Sequence, residues 1–224
     1  MTLVTMQPDS KRTSTSKKIA GYLLDIGAVK FDVKKGFTWT SGIQSPIYCD
    51  NRIINSRIEV RRAVVDAFVE IIENKKTDQP DIIAGVATGG ITYGVLAADK
   101  LSLPFIYVRE KKKEHGMMKA VEGEYHTGDK VILVEDHIST GGSSLKAVEH
   151  LRDEGLSVIC LISIMTYGFD KARDSFQQAG VEYESICDLD VVIDVAKEKG
   201  FINPSDIDTI LKFRKSPKDW HPNV

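Results

Sequence analysis

Residues 131–151 read VILVEDHISTGGSSLKAVEHL, and the order of residue types within them decides the fold. Val131, Ile132, Leu133 and Val134 form an apolar run, three of the four β-branched, which predicts a strand buried on both faces. Glu135 and Asp136 stand at its end, followed by the turn Ser139-Thr140-Gly141-Gly142-Ser143-Ser144. Leu145, Val148 and Leu151 then recur at helical spacing, with Gly155 placed as a C-terminal cap. A strand, a small-residue turn and a helix start make an anion site. The first helical N–H groups lack partners, the helix dipole favours negative charge, and glycine admits a phosphate closely. Ser139, Thr140 and Ser143 add hydroxyl donors. Carboxylates beside a phosphate repel it unless they accept hydrogen bonds from sugar hydroxyls or face a metal ion. The implied ligand is therefore a sugar phosphate. The turn is neither GxGxxG nor GxxxxGK[ST], which argues against a dinucleotide fold or a P-loop. Taken alone, it also fits an ordinary strand–turn–helix corner with solvated acids.

Outward from this stretch, apolar runs at 82–87, 105–108, 158–165 and 181–187 alternate with helical segments opening near Ile91, Phe169 and Leu189. Such alternation predicts an α/β fold, a mostly parallel twisted sheet flanked by helices on both faces. Ligands on such sheets bind beyond the carboxyl ends of the strands, where Thr88-Gly89-Gly90 and residues 135–143 both fall. Residues 19–25 read as a short helix ended by Gly27. Residues 29–52 read as short strands and turns with aromatics, a small N-terminal hood lobe. Ser56-Arg57-Ile58-Glu59 has the capping-box pattern and precedes an amphipathic helix with Val60, Val64, Ala67, Phe68 and Ile71 on one face. The expected organisation is a polar tail over 1–17 and one domain over 18–224. Within that domain lie a hood lobe at 18–56, an α/β core at 57–200 and a final segment at 201–224. The last segment holds a short helix from Asn203-Pro204-Ser205 and a tail from Lys215.

With 224 residues, 28% charged and 42% hydrophobic, the chain has the make-up of a soluble single domain. A net charge of −2 gives no case for nucleic acid. Cys49, Cys160 and Cys187 are odd in number and far apart, so neither a disulfide framework nor a zinc site is expected, and a cytoplasmic setting fits. No signal peptide or membrane-spanning stretch is expected either.

Between two of the strands lies a long charged loop, 109–126, which includes Arg109, Lys111, Lys112, Lys113, His115 and Lys119. A lysine run is usually a solvated face. This one leaves a strand's carboxyl end, on the side of the anion turn, and long loops of this kind are commonly lids. A basic lid over a phosphate cradle suits a pyrophosphate. Loss of pyrophosphate from a sugar places negative charge on the leaving group, which Arg109, Lys113 and His115 could stabilise while closure excludes water. Mg²⁺ would be held mainly by pyrophosphate and water, with no metal ligands from the protein.

The run V-E-D-x-I-S-T-G-G-S-S, with Arg109-x-x-x-Lys113-x-His115-Gly116 and the hood segments Phe37-Thr38-Trp39-Thr40-Ser41-Gly42 and Ser45-Pro46-Ile47-Tyr48-Cys49-Asp50-Asn51-Arg52, resembles the orotate branch of the type I phosphoribosyltransferases over nearly the whole chain. That resemblance implies the type I phosphoribosyltransferase fold and Mg²⁺-dependent transfer of phosphoribose from phosphoribosyl pyrophosphate to orotate, in pyrimidine (UMP) biosynthesis. It implies a homodimer whose lid reaches the neighbouring subunit's site. By the same resemblance Arg109, Lys113 and His115 contact pyrophosphate, and Glu135, Asp136, His137, Ile138, Ser139, Thr140, Gly141, Gly142 and Ser143 hold the ribose 5-phosphate. Ser139 also touches orotate, Glu135 takes ribose hydroxyls, and Asp136 steadies the oxocarbenium-like ring. The chain departs from many members at Thr40, Glu110 and Thr88-Gly89-Gly90, and it lacks an arginine after Ile162-Ser163-Ile164. These departures leave the orotate carboxylate's partner open between Arg52 and backbone N–H groups of 41–45. Two other readings stand beside this one. A phosphoribosyltransferase for another base would build its hood differently from residues 39–52. A non-catalytic sensor of phosphoribosyl pyrophosphate would lose its lid cations and gain a nucleic-acid-binding extension.

Overall fold

Every apolar run read from the sequence becomes a strand of one sheet. The computed structural model describes residues 10–75, 78–110 and 119–222. Its six-stranded sheet contains β5 (Ile82–Val86), β6 (Phe105–Val108), β7 (Val121–Glu122), β8 (Lys130–Ile138), β9 (Ser157–Thr166) and β10 (Glu182–Asp188) in the order β10-β9-β8-β5-β6-β7. All neighbours are parallel except β7, which returns antiparallel to β6. α3 (Gly89–Leu101), α4 (Gly142–Asp153), α5 (Asp170–Ala179) and α6 (Leu189–Glu198) follow strands, as the crossover rule for parallel pairs requires. Val131, Ile132, Leu133 and Val134 are all fully buried. Their side chains alternate between two cores, Ile132 and Val134 on one face, Val131 and Leu133 on the other. Burying each contributes about 1.5–3 kcal/mol, so this short segment anchors both layers at once.

The first core is closed by α1 (Ser10–Asp25), α2 (Ile58–Glu73), α3 and α6, the second by α4 and α5. A hood of two antiparallel ribbons lies at one end: β1 (Val29–Phe31) with β4 (Ile47–Cys49), and β2 (Phe37–Thr38) with β3 (Gln44–Ser45). A 3₁₀ turn, Asn51–Ser56, leads out of it.

Four expectations are corrected. Helix α1 begins at Ser10, inside the stretch expected to be a polar tail. Of its small hydroxyl side chains Ser16 is buried, and Lys17 pairs with Glu198 of α6 at 3.4 Å, so apolar periodicity does not mark its start. The capping box at Ser56 does not form. Ser56 Oγ donates back to Ile53 O, and Arg57 is the N-cap without a side-chain bond. Strand β8 runs on to Ile138, because its pairing with β9 continues past the apolar run to Ile138↔Thr166. Glu135 and Asp136 are thus strand residues, not strand-end residues. Finally, the C-terminal segment is no loose tail. Phe213 of α7 (Ile207–Lys215) and Trp220 are buried in the first core, and Trp220 lies so close to Gly36 that a Cβ there would meet its ring at 2.7 Å.

Candidate active site at the carboxyl ends of the strands

The turn after β8 is shaped by one glycine. Gly141 has φ +79°, and a Cβ on it would sit 2.9 Å from the Phe176 ring, so both backbone and space demand glycine. Gly141 is the N-cap of α4 and offers no side-chain cap, and the first helical bond runs from Leu145 N to Gly141 O at 2.9 Å. The N–H groups of Gly142, Ser143 and Ser144 therefore have no partner within the helix. Gly142 and Ser143 are exposed, and Ser139 and Thr140 are half-buried beside them. Ile138 differs: its side chain is fully buried in the second core, so only its backbone faces the turn.

The surroundings push the two carboxylates in opposite directions. Glu135 is buried and accepts hydrogen bonds from Ser144 Oγ (3.3 Å) and the Asp136 N–H (3.1 Å). Burial first, and then the neighbouring Asp136 charge, push its carboxyl well above the ordinary range. Burial also opposes ionisation of Asp136, yet the His137 imidazole 3.2 Å away and the His137 N–H at 2.8 Å outweigh it, and its carboxyl is held below the ordinary range. His137 in turn is desolvated, but Asp136 raises its affinity for a proton. The imidazole Nδ1 is off the line of a directed hydrogen bond, so charge attraction ties the pair. Asp136 is thus the ionised acid of the site.

The loop after β5 closes against that acid. A Cβ on Gly89 would lie 2.6 Å from the Asp136 carboxyl carbon, and one on Gly90 would lie 2.1 Å from Val134 O. The Thr88-Gly89-Gly90 loop and the β8 segment therefore face one site, as expected from the sequence. The Ala87–Thr88 peptide in this loop is cis.

Both roots of the charged loop reach the same edge. β6 and β8 flank β5 in parallel, and Arg109 N donates to Ala120 O at 2.8 Å just beyond the β6–β7 pairing. The Arg109 guanidinium lies 3.4 Å from Glu122 of β7. Lys113 and His115 lie outside the described residues.

From the hood, Trp39 donates its indole N–H to Ile47 O (3.1 Å) and packs on Tyr167 at 4.9 Å between ring centres. Tyr167 also meets the His137 ring edge-on at 6.1 Å, so the hood adjoins the acid pair. Arg52 makes two bonds to Asp50, at 2.6 and 2.9 Å. The sequence reading quoted Asn51 but gave it no role. Asn51 is fully buried, and its amide donates to Asp136 O at 2.9 Å. Its only signal in the sequence was a polar residue between hood and helix. A cavity of about 750 Å³ opens elsewhere, along edge strand β10, but its Lys75 is paired with Glu182 and Glu184. The chemistry-bearing residues stand at the ends of β5, β6 and β8.

Comparison with known proteins agrees with this geometry. The model of the phosphoribosyl transferase domain matches residues 54–197. The orotate phosphoribosyltransferase of Cytophaga hutchinsonii is 44% identical over 207 residues, covering 92% of this chain and 98% of that protein. That of Staphylococcus haemolyticus is 44% identical over 199 residues, covering 89% and 98%. Among solved structures, the orotate phosphoribosyltransferase from Aeropyrum pernix superposes with a TM-score of 0.70 at 29% identity, covering 83% of this chain and 99% of that one. With a phosphoribosyl transferase domain matched over residues 54–197 and relatives 44% identical over 98% of their own length, the chain belongs to the orotate phosphoribosyltransferase family.

Proposed function

We propose that the protein transfers the 5-phosphoribosyl group from phosphoribosyl pyrophosphate to orotate, giving orotidine 5′-monophosphate and pyrophosphate in UMP synthesis. The bond from C1 of the ribose to pyrophosphate breaks, N1 of orotate bonds to C1 from the opposite face and gives up its proton to solvent, and the configuration inverts. One observation carries this reading: the uncapped helix start at Gly142, the ionised Asp136 and the root of the basic loop at Arg109 share one edge of the sheet.

The N–H groups of Gly142 and Ser143, with the hydroxyls of Ser139, Thr140 and Ser143, bind the 5-phosphate. Ser139 also reaches orotate. Asp136 faces the positive charge that develops on the ribose ring as pyrophosphate leaves. At about 4 Å and an effective dielectric near 20, such a pair is worth roughly 4 kcal/mol against about 1 in water, a factor of the order of 10² in rate. Glu135, whose carboxyl burial pushes well above the ordinary range, props the turn through Ser144 and takes a ribose hydroxyl. His137 steadies Asp136, and Ile138 offers its backbone alone. Arg109, Lys113 and His115 stabilise the leaving pyrophosphate, for which Arg109 must exchange Glu122 as its partner.

Phosphoribosyltransferases generally depend on Mg²⁺. A Mg²⁺ entering with phosphoribosyl pyrophosphate would be held mainly by pyrophosphate and water, and would neutralise the leaving group's charge. The family resemblance supports a homodimer whose lid serves the neighbouring site. The three cysteines are buried and unpaired, which supports a reducing, cytoplasmic setting. Among the described residues no helix is long and apolar enough to cross a membrane.

The test mixes the protein with phosphoribosyl pyrophosphate and Mg²⁺, adds orotate, uracil or adenine separately, and follows loss of base. Orotate alone should be consumed, with equal release of pyrophosphate. Consumption of adenine would replace the reading with a purine enzyme, and consumption of none would refute transfer.

A further inference from the structure

The β5 strand registers with β8 only as far as Gly85↔Val134. Beyond Val134, β8 has lost that neighbour and runs on beside β9. Its reacting carboxylate therefore sits on a strand supported on one side, at a place where misaim by a fraction of an ångström changes rate. Asn51 supplies support from the hood. Its side-chain amide donates to Asp136 O at 2.9 Å, and its Oδ1 lies 3.4 Å from Cys49 Sγ. Its own carbonyl accepts the Tyr93 hydroxyl at 2.7 Å. Asn51 and Tyr93 are both buried, at 0% and 1% exposure, so these bonds are shielded from water, and each polar group would be left unpaired if the chain shifted. Beside the carboxylate, Gly89 leaves no room for a side chain, since a Cβ there would lie 2.6 Å from the Asp136 carboxyl carbon.

We propose that Asn51 is a positioning residue for the transfer: through the Tyr93–Asn51–Asp136 chain of hydrogen bonds, the hood and α3 hold the aim of the Asp136 carboxylate at the ribose. The inference rests on the reaction proposed above. It makes the hood part of the sugar chemistry as well as the base side. It also explains why a fully buried asparagine occupies the junction of three elements, where an apolar residue would otherwise be expected.

The experiment compares Asn51→Asp and Tyr93→Phe, and their combination, with the wild-type full chain in steady-state assays and thermal melts. Asn51→Asp keeps the volume but cannot donate to Asp136 O. Tyr93→Phe removes only the hydroxyl that holds the Asn51 carbonyl. We expect kcat to fall by about tenfold or more in Asn51→Asp, in line with the cost of small misplacements, while both KM values stay within about threefold. Tyr93→Phe should lower kcat severalfold with its melting temperature little changed, and the double variant should be no slower than Asn51→Asp alone. A wild-type kcat in Tyr93→Phe, or a loss confined to KM for orotate in Asn51→Asp, would overturn the proposal. Should Asn51→Asp fail to fold, Tyr93→Phe decides. Wild-type turnover tests the reaction, and the ratio of variant to wild type tests the positioning role, so the two failures are distinct.

Discussion

The phosphate cradle and the hood hold adjoining parts of one site by opposite means. The cradle is local: β8, the Gly141 turn and the start of α4 are consecutive in the chain, and each residue's task follows from its neighbours. The hood is assembled at a distance. Asn51 reaches Asp136 across 85 residues, and Trp39 rests on Tyr167 and Phe169, which follow β9, and on Phe213 of α7. Local geometry thus shapes the turn proposed to hold a phosphate. Long-range packing shapes the hood proposed to meet the base.

The sharpest way to break this contrast is at the residue where the two regions touch. Asp136→Asn keeps the shape and removes the charge, so kcat should drop by the order of 10²-fold or more while ribose 5-phosphate still binds. An equal loss of phosphate affinity would mean that the acid belongs to the cradle alone. Lys113→Ala comes next: with its charge on the leaving pyrophosphate, as proposed, turnover should fall by about tenfold or more. An unaltered rate would detach the lid from the site. The smallest effect concerns Glu135. Its raised folded-state pKa means that its contribution to stability is full below the ordinary value of 4.5 and declines as pH rises toward the folded value. Glu135→Gln, which still accepts from Ser144, should therefore melt a few degrees above wild type at neutral pH. The gap should close toward about pH 4. A gap that widens toward acid would show that Glu135 is charged in the fold.

The same contrast explains what was legible in the sequence. Residues 131–134 declared a doubly buried strand, and the parallel α/β sheet followed from four more runs of that kind. The turn and the helix after it were legible because helix starts and glycines act over a few residues. Propensity and spacing failed where a distant partner decided the outcome. β8 outran its apolar run because β9 continued to pair with it. Trp220, in a stretch that reads as a tail, is drawn into the core beside Gly36. Ser56 turned its hydroxyl back to Ile53 and left the helix without the expected box. Asn51 showed only as a polar residue between hood and helix, because a buried amide is recognised by its partners and not by its type. The opposed shifts of Glu135 and Asp136 were likewise invisible, since two adjacent acids differ only in burial and in the company of His137.

The most direct test of a site shared by cradle and hood is calorimetric binding of orotidine 5′-monophosphate and of ribose 5-phosphate to Ser143→Ala and Trp39→Leu. The account predicts that Ser143→Ala weakens both ligands, by about tenfold for a lost hydrogen bond to a charged group, whereas Trp39→Leu weakens the nucleotide and leaves the sugar phosphate as it was. Trp39→Leu binding both ligands with wild-type affinity would contradict it, because the base would then lie outside the hood.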